Sequence, residues 1–167
     1  MSQKPLGEAL VGVFNRVFQA ANATVLCGGA AEPYYEPGAP SVIYFREDFG
    51  RSALHEVAHW CVAGPLRRGI PDYGYWYAPD GRNAEQQSAF YSVEVKPQAI
   101  EALFCEALDL PFSVSVDNLT VDASCPQIVD FEASVDRQIV RFRALGLPDR
   151  ARRFSEALTL LAVERSG

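Results

Sequence analysis

Residues 52–65 read S-A-L-H-E-V-A-H-W-C-V-A-G-P, and this stretch contains both histidines of the chain. His55 and His59 are the ends of an H-E-x-x-H pattern, with Glu56 directly after the first histidine. Side chains four residues apart lie on the same face of a helix, so both imidazoles can reach a single metal ion. The stretch therefore predicts a metal-binding helix at the centre of the fold.

The segment around this pattern has the features of a helix with defined ends. Ser52 is a suitable N-cap, and Gly64 followed by Pro65 is typical of a helix terminus. The predicted helix is about 12 residues long and holds both histidines rigidly. Cys61 lies about 200° around the helix from His59, so we expect it to face away from the metal and pack in the core.

A catalytic metal site needs a third protein ligand, and the chain has no third histidine. Glu94, in Y-S-V-E-V-K-P, is the best candidate, because a buried carboxylate between two valines is costly without a cation or a hydrogen-bonded partner. Asp80 is a weaker candidate because it lies in a P-D-G turn, and Glu101 because we expect it to face solvent. Lys96 and Gln98 flank Glu94 in sequence and are candidates for groups that orient it.

The set His55, His59 and Glu94 has two chemical meanings. With zinc, and with Glu56 as base, it is the ligand set of a hydrolase that activates water. With Fe(II) and open coordination positions, it is the facial triad of a non-haem oxygenase. Imidazole and carboxylate suit both ions, so the ligand types do not decide between them. The remaining alternative is a structural metal, or two core histidines with no metal at all.

The rest of the chain alternates helical and strand-like patterns. Further helices are predicted at about 4–21, 83–94, 100–107, 127–145 and 148–164, with Asn83 as one N-cap. A break is expected at Lys96, because Pro97 disfavours a helical residue before it. Short strands are predicted at about 24–27, 41–45, 73–77 and 113–116, and a proline-rich loop at about 30–40. The fold class is therefore α+β, with one helix-rich domain and a small sheet over residues 1–167.

Composition excludes several classes of function. A net charge of −6 and a pI near 4.9 argue against nucleic acid as a partner. No apolar run approaches a membrane span, and the first eight residues lack the layout of a secretory signal. The four cysteines form no C-x-x-C and are expected to be buried, reduced thiols. These features predict a cytoplasmic protein that binds neither nucleic acid nor membrane.

Aromatic residues cluster in sequence near the motif, and they admit two interpretations. The five are Trp60, Tyr73, Tyr75, Trp76 and Tyr77. They are either ordinary core or the wall of a channel for a long aliphatic side chain such as a modified lysine. In the second case, Tyr77, Asp80 and Arg82 are candidate substrate contacts at its mouth. Six arginines between positions 137 and 153 form either a solvated helix face or a docking surface for an acidic protein.

Four blocks of this sequence closely resemble the elongation factor P hydroxylase family. They are H-E-V-A-H-W-C-V-A-G, D-Y-G-Y-W-Y-A-P-D-G-R, V-E-V-K-P-Q-A and P-F-S-V-S-V-D-N-L, in that order. The resemblance covers roughly residues 8–160 and is far more specific than H-E-x-x-H alone. It implies a bacterial cytosolic enzyme that hydroxylates the β-lysylated lysine of elongation factor P, a factor that relieves ribosomes stalled at polyproline.

The resemblance also assigns expected roles to residues. His55, His59 and Glu94 match the family's metal ligands, and Glu56 matches the H-E-x-x-H glutamate, for which we expect proton transfer or hydrogen bonding beside the metal. The implied cofactor is Fe2+, with O2 as co-substrate, although zinc or another divalent ion can occupy such a site in a purified sample. The chain has no recognisable 2-oxoglutarate site. The alternative function is a small H-E-x-x-H zinc metallopeptidase.

Overall fold

The computed structural model describes residues 3–75, 81–116 and 125–167, and this part of the chain forms five helices and three strands. In chain order they are α1 (Leu6–Asn22), β1 (Thr24–Ala30), β2 (Tyr34–Glu36), β3 (Ser41–Arg46), α2 (Gly50–Val62), α3 (Ala84–Ala107), α4 (Pro126–Leu145) and α5 (Asp149–Ser166). Two 3-10 turns, Arg67–Gly69 and Pro71–Gly74, follow α2. The predicted α+β class is confirmed. Within the described residues, none of the helices combines the length and apolar character that a membrane crossing requires.

The three strands form one mixed sheet in the order β1-β3-β2. β1 runs parallel to β3 and β2 antiparallel to it, with Tyr35 opposite Ile43. The strand β2 lies inside the segment predicted as a loop, so that prediction was wrong there. Tyr35 explains the difference, because it is 2% exposed and stacks on the Tyr73 ring at 4.3 Å. Burial of this ring favours an extended edge strand between the prolines.

The main core lies where α1, α2 and α5 meet the sheet. Trp60 on α2 is fully buried, and its ring lies 5.1 Å from that of Phe14 and 4.9 Å from that of Phe18. Phe154 on α5 completes this aromatic cluster at 5.9 Å from Phe14. The core interpretation therefore holds for Trp60. The face of α2 opposite the histidines thus fixes the helix against the rest of the domain.

The helix α2 begins earlier than the sequence predicted. Its N-cap is Phe49, which makes no side-chain capping bond, whereas Ser52 lies inside the first turn. The Ser52 hydroxyl instead accepts a hydrogen bond of 3.0 Å from the backbone N–H of Arg46 at the end of β3. The role of Ser52 is therefore to join strand to helix. The helix ends at Val62, directly before the predicted Gly64-Pro65 stop.

The helix α3 continues through the expected break at Lys96 and Pro97. Its start is as predicted, since Asn83 and Gln86 form a reciprocal capping box. Ile100 and Phe104, beyond the proline, are fully buried in the main core. Packing against α2, α4 and α5 thus outweighs the local cost of a proline inside the helix.

Two predicted strands are absent from the parts of the chain that the structure describes. Tyr73 lies in a 3-10 turn, in which Asp72 and Tyr73 both have positive φ, and residues 76–80 lie outside the described range. Residues 113–116 are irregular. The side chain of Gln98, which is 1% exposed, donates to the Ser115 carbonyl and accepts from its N–H at 2.9 Å. These hydrogen bonds hold the segment against α3, although it does not pair with a described strand.

The four cysteines are all free, but only two of them are buried. Cys61 and Cys105 lie in the core, as predicted for Cys61, whereas Cys27 is exposed and Cys125 is partly exposed. The expectation of four buried thiols was therefore wrong for Cys27 and Cys125. Burial raises the pKa of the Cys105 thiol to about 11 and that of Cys61 still further.

This difference predicts the order of thiol alkylation. Iodoacetamide reacts with thiolates, so Cys27 is expected to be modified first and Cys125 next. Cys61 and Cys105 should stay unmodified in the native protein and react only in denaturant. Peptide mass spectrometry after timed alkylation checks the order. Modification of Cys61 as fast as that of Cys27 in native buffer would contradict the described packing of α2.

A second prediction concerns the contact between the start of α1 and the start of α2. A Cβ atom at Gly7 would overlap the backbone carbonyl of Asp48, whereas one at Gly12 on the same helix would meet nothing. We expect Gly7→Ala to destabilise the protein by about 1–3 kcal/mol. The clashing atom belongs to the Asp48 backbone, which cannot move aside as a flexible side chain can. The matched control Gly12→Ala should be neutral or stabilising by up to about 1 kcal/mol. Urea unfolding of both variants measures the difference, and equal midpoints would refute this packing.

Candidate metal centre

Three side chains from two helices converge on one point. His55 and His59 on α2 and Glu94 on α3 each offer a ligand atom, and these atoms lie within 4.8 Å of one another. The two Nε2 atoms are 3.2 Å apart. Glu94 Oε2 lies 2.8 Å from His59 Nε2, and Oε1 lies 3.5 Å from His55 Nε2. The structure thus brings the three predicted ligands together.

The surroundings of Glu94 fit a cation. Its side chain is only 7% exposed, and Oε2 is a buried oxygen to which no described residue offers a well-formed hydrogen bond. Two ring nitrogens bound to a common ion about 2.1 Å away lie about 3.0–3.4 Å apart, as the Nε2 atoms do here. A divalent ion would satisfy all three groups at once.

Electrostatics couple the three groups strongly. Burial by itself raises the pKa of the Glu94 carboxyl, but the adjacent imidazoles, His59 foremost, lower it well below its ordinary value. Burial lowers the pKa of His55, yet Glu94 and Glu101 outweigh this effect and raise it well above that of a free imidazole. When no metal is bound, the two carboxylates therefore favour the protonated, positively charged form of His55.

Glu101 contacts the site, and the expectation that it faces solvent was wrong. Its Oε1 lies 2.6 Å from His55 Nδ1, and its side chain is 12% exposed. Glu94 and Glu101 are seven residues apart, which is two turns, so both lie on one face of α3. The seven-residue spacing was the sequence pattern that could have placed Glu101 beside Glu94, provided that the helix was expected to continue through Pro97.

Glu56 lies beside the three converging side chains. It is half-buried and lines the same cleft as His55 and Glu94. Burial raises the pKa of its carboxyl, against the lowering effect of the two imidazoles. Within the described chain it has neither a hydrogen bond nor an ion pair, so it is available to a bound molecule.

Cavities reach the cluster from two sides. The larger, of about 920 Å³, opens on His55 and Glu94, and aromatic rings of Phe90 and Phe112 line it. A smaller cavity of about 380 Å³ opens on His59. The larger volume is in the range of small-molecule binding clefts and is ample for one long side chain. The arrangement therefore combines a metal-binding set with access for a substrate.

Among the remaining predicted site residues, Arg82 lies within the described part of the chain. Tyr77 and Asp80 lie outside the described residues, as does Trp76. Arg82 is 7% exposed, donates to Gln87 Oε1 at 2.9 Å and to the Val116 carbonyl, and stacks at 4.1 Å on Phe90, a wall of the larger cleft.

Neither predicted neighbour of Glu94 bonds to it. Gln98 holds residue 115 instead, and Lys96 is exposed beside the smaller cavity. Their expected role in orienting Glu94 is therefore not found in the described contacts. The aromatic channel interpretation is likewise limited, because Tyr73 packs in the core while Tyr75 lies under the Arg67 guanidinium at 4.0 Å. Both tyrosines nevertheless border the smaller cavity.

The arginine stretch is largely engaged within the domain. Arg143 pairs with Glu106, Arg152 pairs with Asp149 and Glu156, and Arg150 lies 4.3 Å from the Trp60 ring. These contacts favour the interpretation as a solvated helix face with internal partners. Because the pairs are exposed, each contributes only about 0–1 kcal/mol to stability.

Comparison with known proteins agrees with the geometry. A family model described as elongation factor P hydroxylase matches residues 13–163. A Haemophilus influenzae protein named elongation factor P lysine hydroxylase is 42% identical over 155 residues, which are 90% of this chain and 86% of that protein. Both matches extend over the two helices that carry His55, His59 and Glu94. The chain belongs to the elongation factor P hydroxylase family.

Proposed function

We propose that this chain is a non-haem iron-dependent hydroxylase that acts on the lysylated lysine of elongation factor P. The observation that carries the proposal is the convergence of His55, His59 and Glu94, in which a buried carboxylate faces two imidazoles. Two histidines and one carboxylate leave coordination positions open, as oxygen chemistry at iron requires. Family membership supplies the reaction class and the protein substrate.

The proposed reaction converts a C–H bond of the modified lysine into C–OH. Fe2+ held by the three side chains would supply the activation of O2. One oxygen atom goes to the substrate and the other leaves as water, so two electrons and two protons must come from an external reductant. The cleft beside His55 and Glu94, of about 920 Å³, has room for the long side chain.

Other residues of the chain have proposed roles around this reaction. Glu56 holds or transfers a proton beside the metal, since it lines the cleft without a partner in the described structure. Tyr77, Asp80 and Arg82 are proposed to shape the substrate entrance. The contact between Arg82 and Phe90, which lines the cleft, supports a role for Arg82 in positioning that wall.

The proposal extends to the whole chain and its setting. Residues 1–167 would form a single metal-binding hydroxylase-like domain in the cytoplasm. Elongation factor P would be its protein partner, with neither nucleic acid nor membrane involved. The negative net charge supports the exclusion of nucleic acid.

A zinc peptidase is the second candidate, and one observation favours it. Glu56 follows His55 and faces the same cleft, as the general base of an H-E-x-x-H hydrolase does. In that case, the same three ligands would hold zinc and the products would be cleaved peptides.

Removal of a proposed ligand tests the ligand set. We expect His55→Ala and Glu94→Ala to lose at least about 100-fold in metal affinity and to lose hydroxylation of lysylated elongation factor P, because two ligands hold the ion poorly. Glu106→Gln is the matched control, since Glu106 is also on α3 but pairs with Arg143 at the surface. Metal analysis and intact-mass spectrometry of the factor, which gains one oxygen atom, provide the measurements.

The same assay separates the two candidate functions. Hydroxylation should need Fe2+, O2 and a reductant, and zinc should not replace iron. Cleavage of peptides by the zinc-loaded protein, with no oxygen added to the factor, would contradict the hydroxylase proposal. Full metal binding by folded Glu94→Ala would instead contradict the ligand set alone.

The role of Glu56 has its own test. We expect Glu56→Gln to bind metal within about twofold of the wild type and to lose roughly 100-fold in kcat, the usual scale for a positioned proton-transfer group. Steady-state hydroxylation rates at saturating substrate, with metal content measured in parallel, check this difference between kcat and metal binding. Loss of metal would make Glu56 a ligand, and unchanged kcat would remove it from the reaction.

A further inference from the structure

We infer that Glu101 is a positioning residue that holds the His55 imidazole with Nδ1 protonated and Nε2 directed at the metal. The inference rests on the proposed ligand set and assigns a fourth side chain to the same site. Glu101 would touch neither metal nor substrate. Its effect would pass entirely through the orientation of one ligand.

The contact geometry gives the first argument. Glu101 Oε1 lies 2.6 Å from His55 Nδ1, the short distance of a charge-assisted hydrogen bond. An ionised carboxylate has no proton to donate, so the Nδ1 atom must carry the hydrogen. The other ring nitrogen, Nε2, lies toward Glu94 and His59 Nε2, and it is the atom that would offer its lone pair to a bound metal. This is the tautomer that metal binding through Nε2 requires.

The helix that carries Glu101 holds it firmly in place. The side chain is 12% exposed, and its neighbours Ile100 and Phe104 are fully buried in the main core. The ion pair therefore lies in a part of α3 that packing fixes, unlike the exposed Glu106–Arg143 pair on the same helix. A fixed carboxylate can orient a histidine, whereas a mobile one contributes little.

The two histidines differ in whether a carboxylate contacts the Nδ1 atom. The described residues offer no carboxylate to His59 Nδ1, so among them Glu101 is the one group that selects a tautomer at the site. Its charge also completes the balance of the site. A divalent cation with two neutral imidazoles is neutralised by the two carboxylates of Glu94 and Glu101 together. Both effects favour metal binding and both depend on one residue.

Glu101→Ala and Glu101→Gln test the inference. Removal of a carboxylate that orients a metal-bound histidine typically costs 10- to 100-fold in metal affinity, so we expect a loss of that size in Glu101→Ala. Glu101→Gln keeps an acceptor oxygen but loses the charge, and the loss should be smaller, about 3- to 10-fold. The matched control Glu106→Ala, an exposed glutamate of α3, should bind as the wild type does. Zinc dissociation constants from chelator competition provide the measurement.

A second readout separates orientation from stability. The chain has only two histidines, so the imidazole nitrogen signals of the ¹⁵N-histidine-labelled, zinc-loaded protein are few and simple to assign. In the wild type, we expect His55 to show a protonated Nδ1 and a metal-bound Nε2. In Glu101→Ala, the Nδ1 signal should shift or broaden. A merely structural role would lower the unfolding midpoint and change neither the zinc affinity of the folded protein nor these signals.

The outcomes are distinguishable from failure of the proposed function. Zinc affinity within twofold of the wild type in Glu101→Ala, with unchanged nitrogen signals, would overturn the positioning role. If Glu101→Ala does not fold, the same criterion applies to the isosteric Glu101→Gln. If instead wild type and His55→Ala bind zinc equally, the ligand set is wrong, and the fault lies with the proposed function.

Discussion

A buried carboxylate that faces two imidazoles is the constraint on which the site and its two helices depend. An ionised glutamate that is almost fully buried costs several kcal/mol unless a positive charge lies beside it. In the metal-free protein, burial acts against a positive charge on the His55 imidazole, but Glu94 and Glu101 favour that charge and raise the pKa. Because the folded-state pKa of His55 is raised, this imidazole contributes stability that is present below its unfolded pKa and lost as pH rises through its folded pKa. A bound divalent ion would take the place of the proton that charges His55, so metal binding would release this proton and become more favourable as pH rises.

The site was predictable from sequence as far as local patterns reach. The four-residue spacing of His55 and His59 is a property of one helix, and it implied convergence without any knowledge of the fold. Glu94 followed from a second local argument, the cost of a carboxylate among valines on a buried helix. Local patterns do not predict that α2 packs against α3. This contact depends on packing between segments far apart in the chain, and Trp60 and Phe104 contribute to it in the shared core.

The two largest errors have one physical origin. The residue before a proline avoids helical geometry in isolation, so a break at Lys96 was the reasonable expectation. Packing of Ile100 and Phe104 nevertheless keeps α3 helical through Pro97. Only in a continuous helix does Glu101 lie on the same face as Glu94, so both expectations, the break and the solvent-facing Glu101, fail for the same reason. Tertiary contacts thus decided a local structure and, with it, a residue of the site.

The chain has three described carboxylates around the cleft and no imidazole to spare. Both histidines converge with Glu94, and Glu101 is engaged with His55 Nδ1. A hydroxylation that consumes two protons therefore has no histidine available as a separate acid or base. Of the cleft carboxylates, Glu56 has no described partner, and burial raises the pKa of its carboxyl group against the opposing effect of the two imidazoles. On this argument, the proposed hydroxylation would leave the H-E-x-x-H glutamate with a proton-handling role, while Glu94 and Glu101 would belong to the proposed metal site.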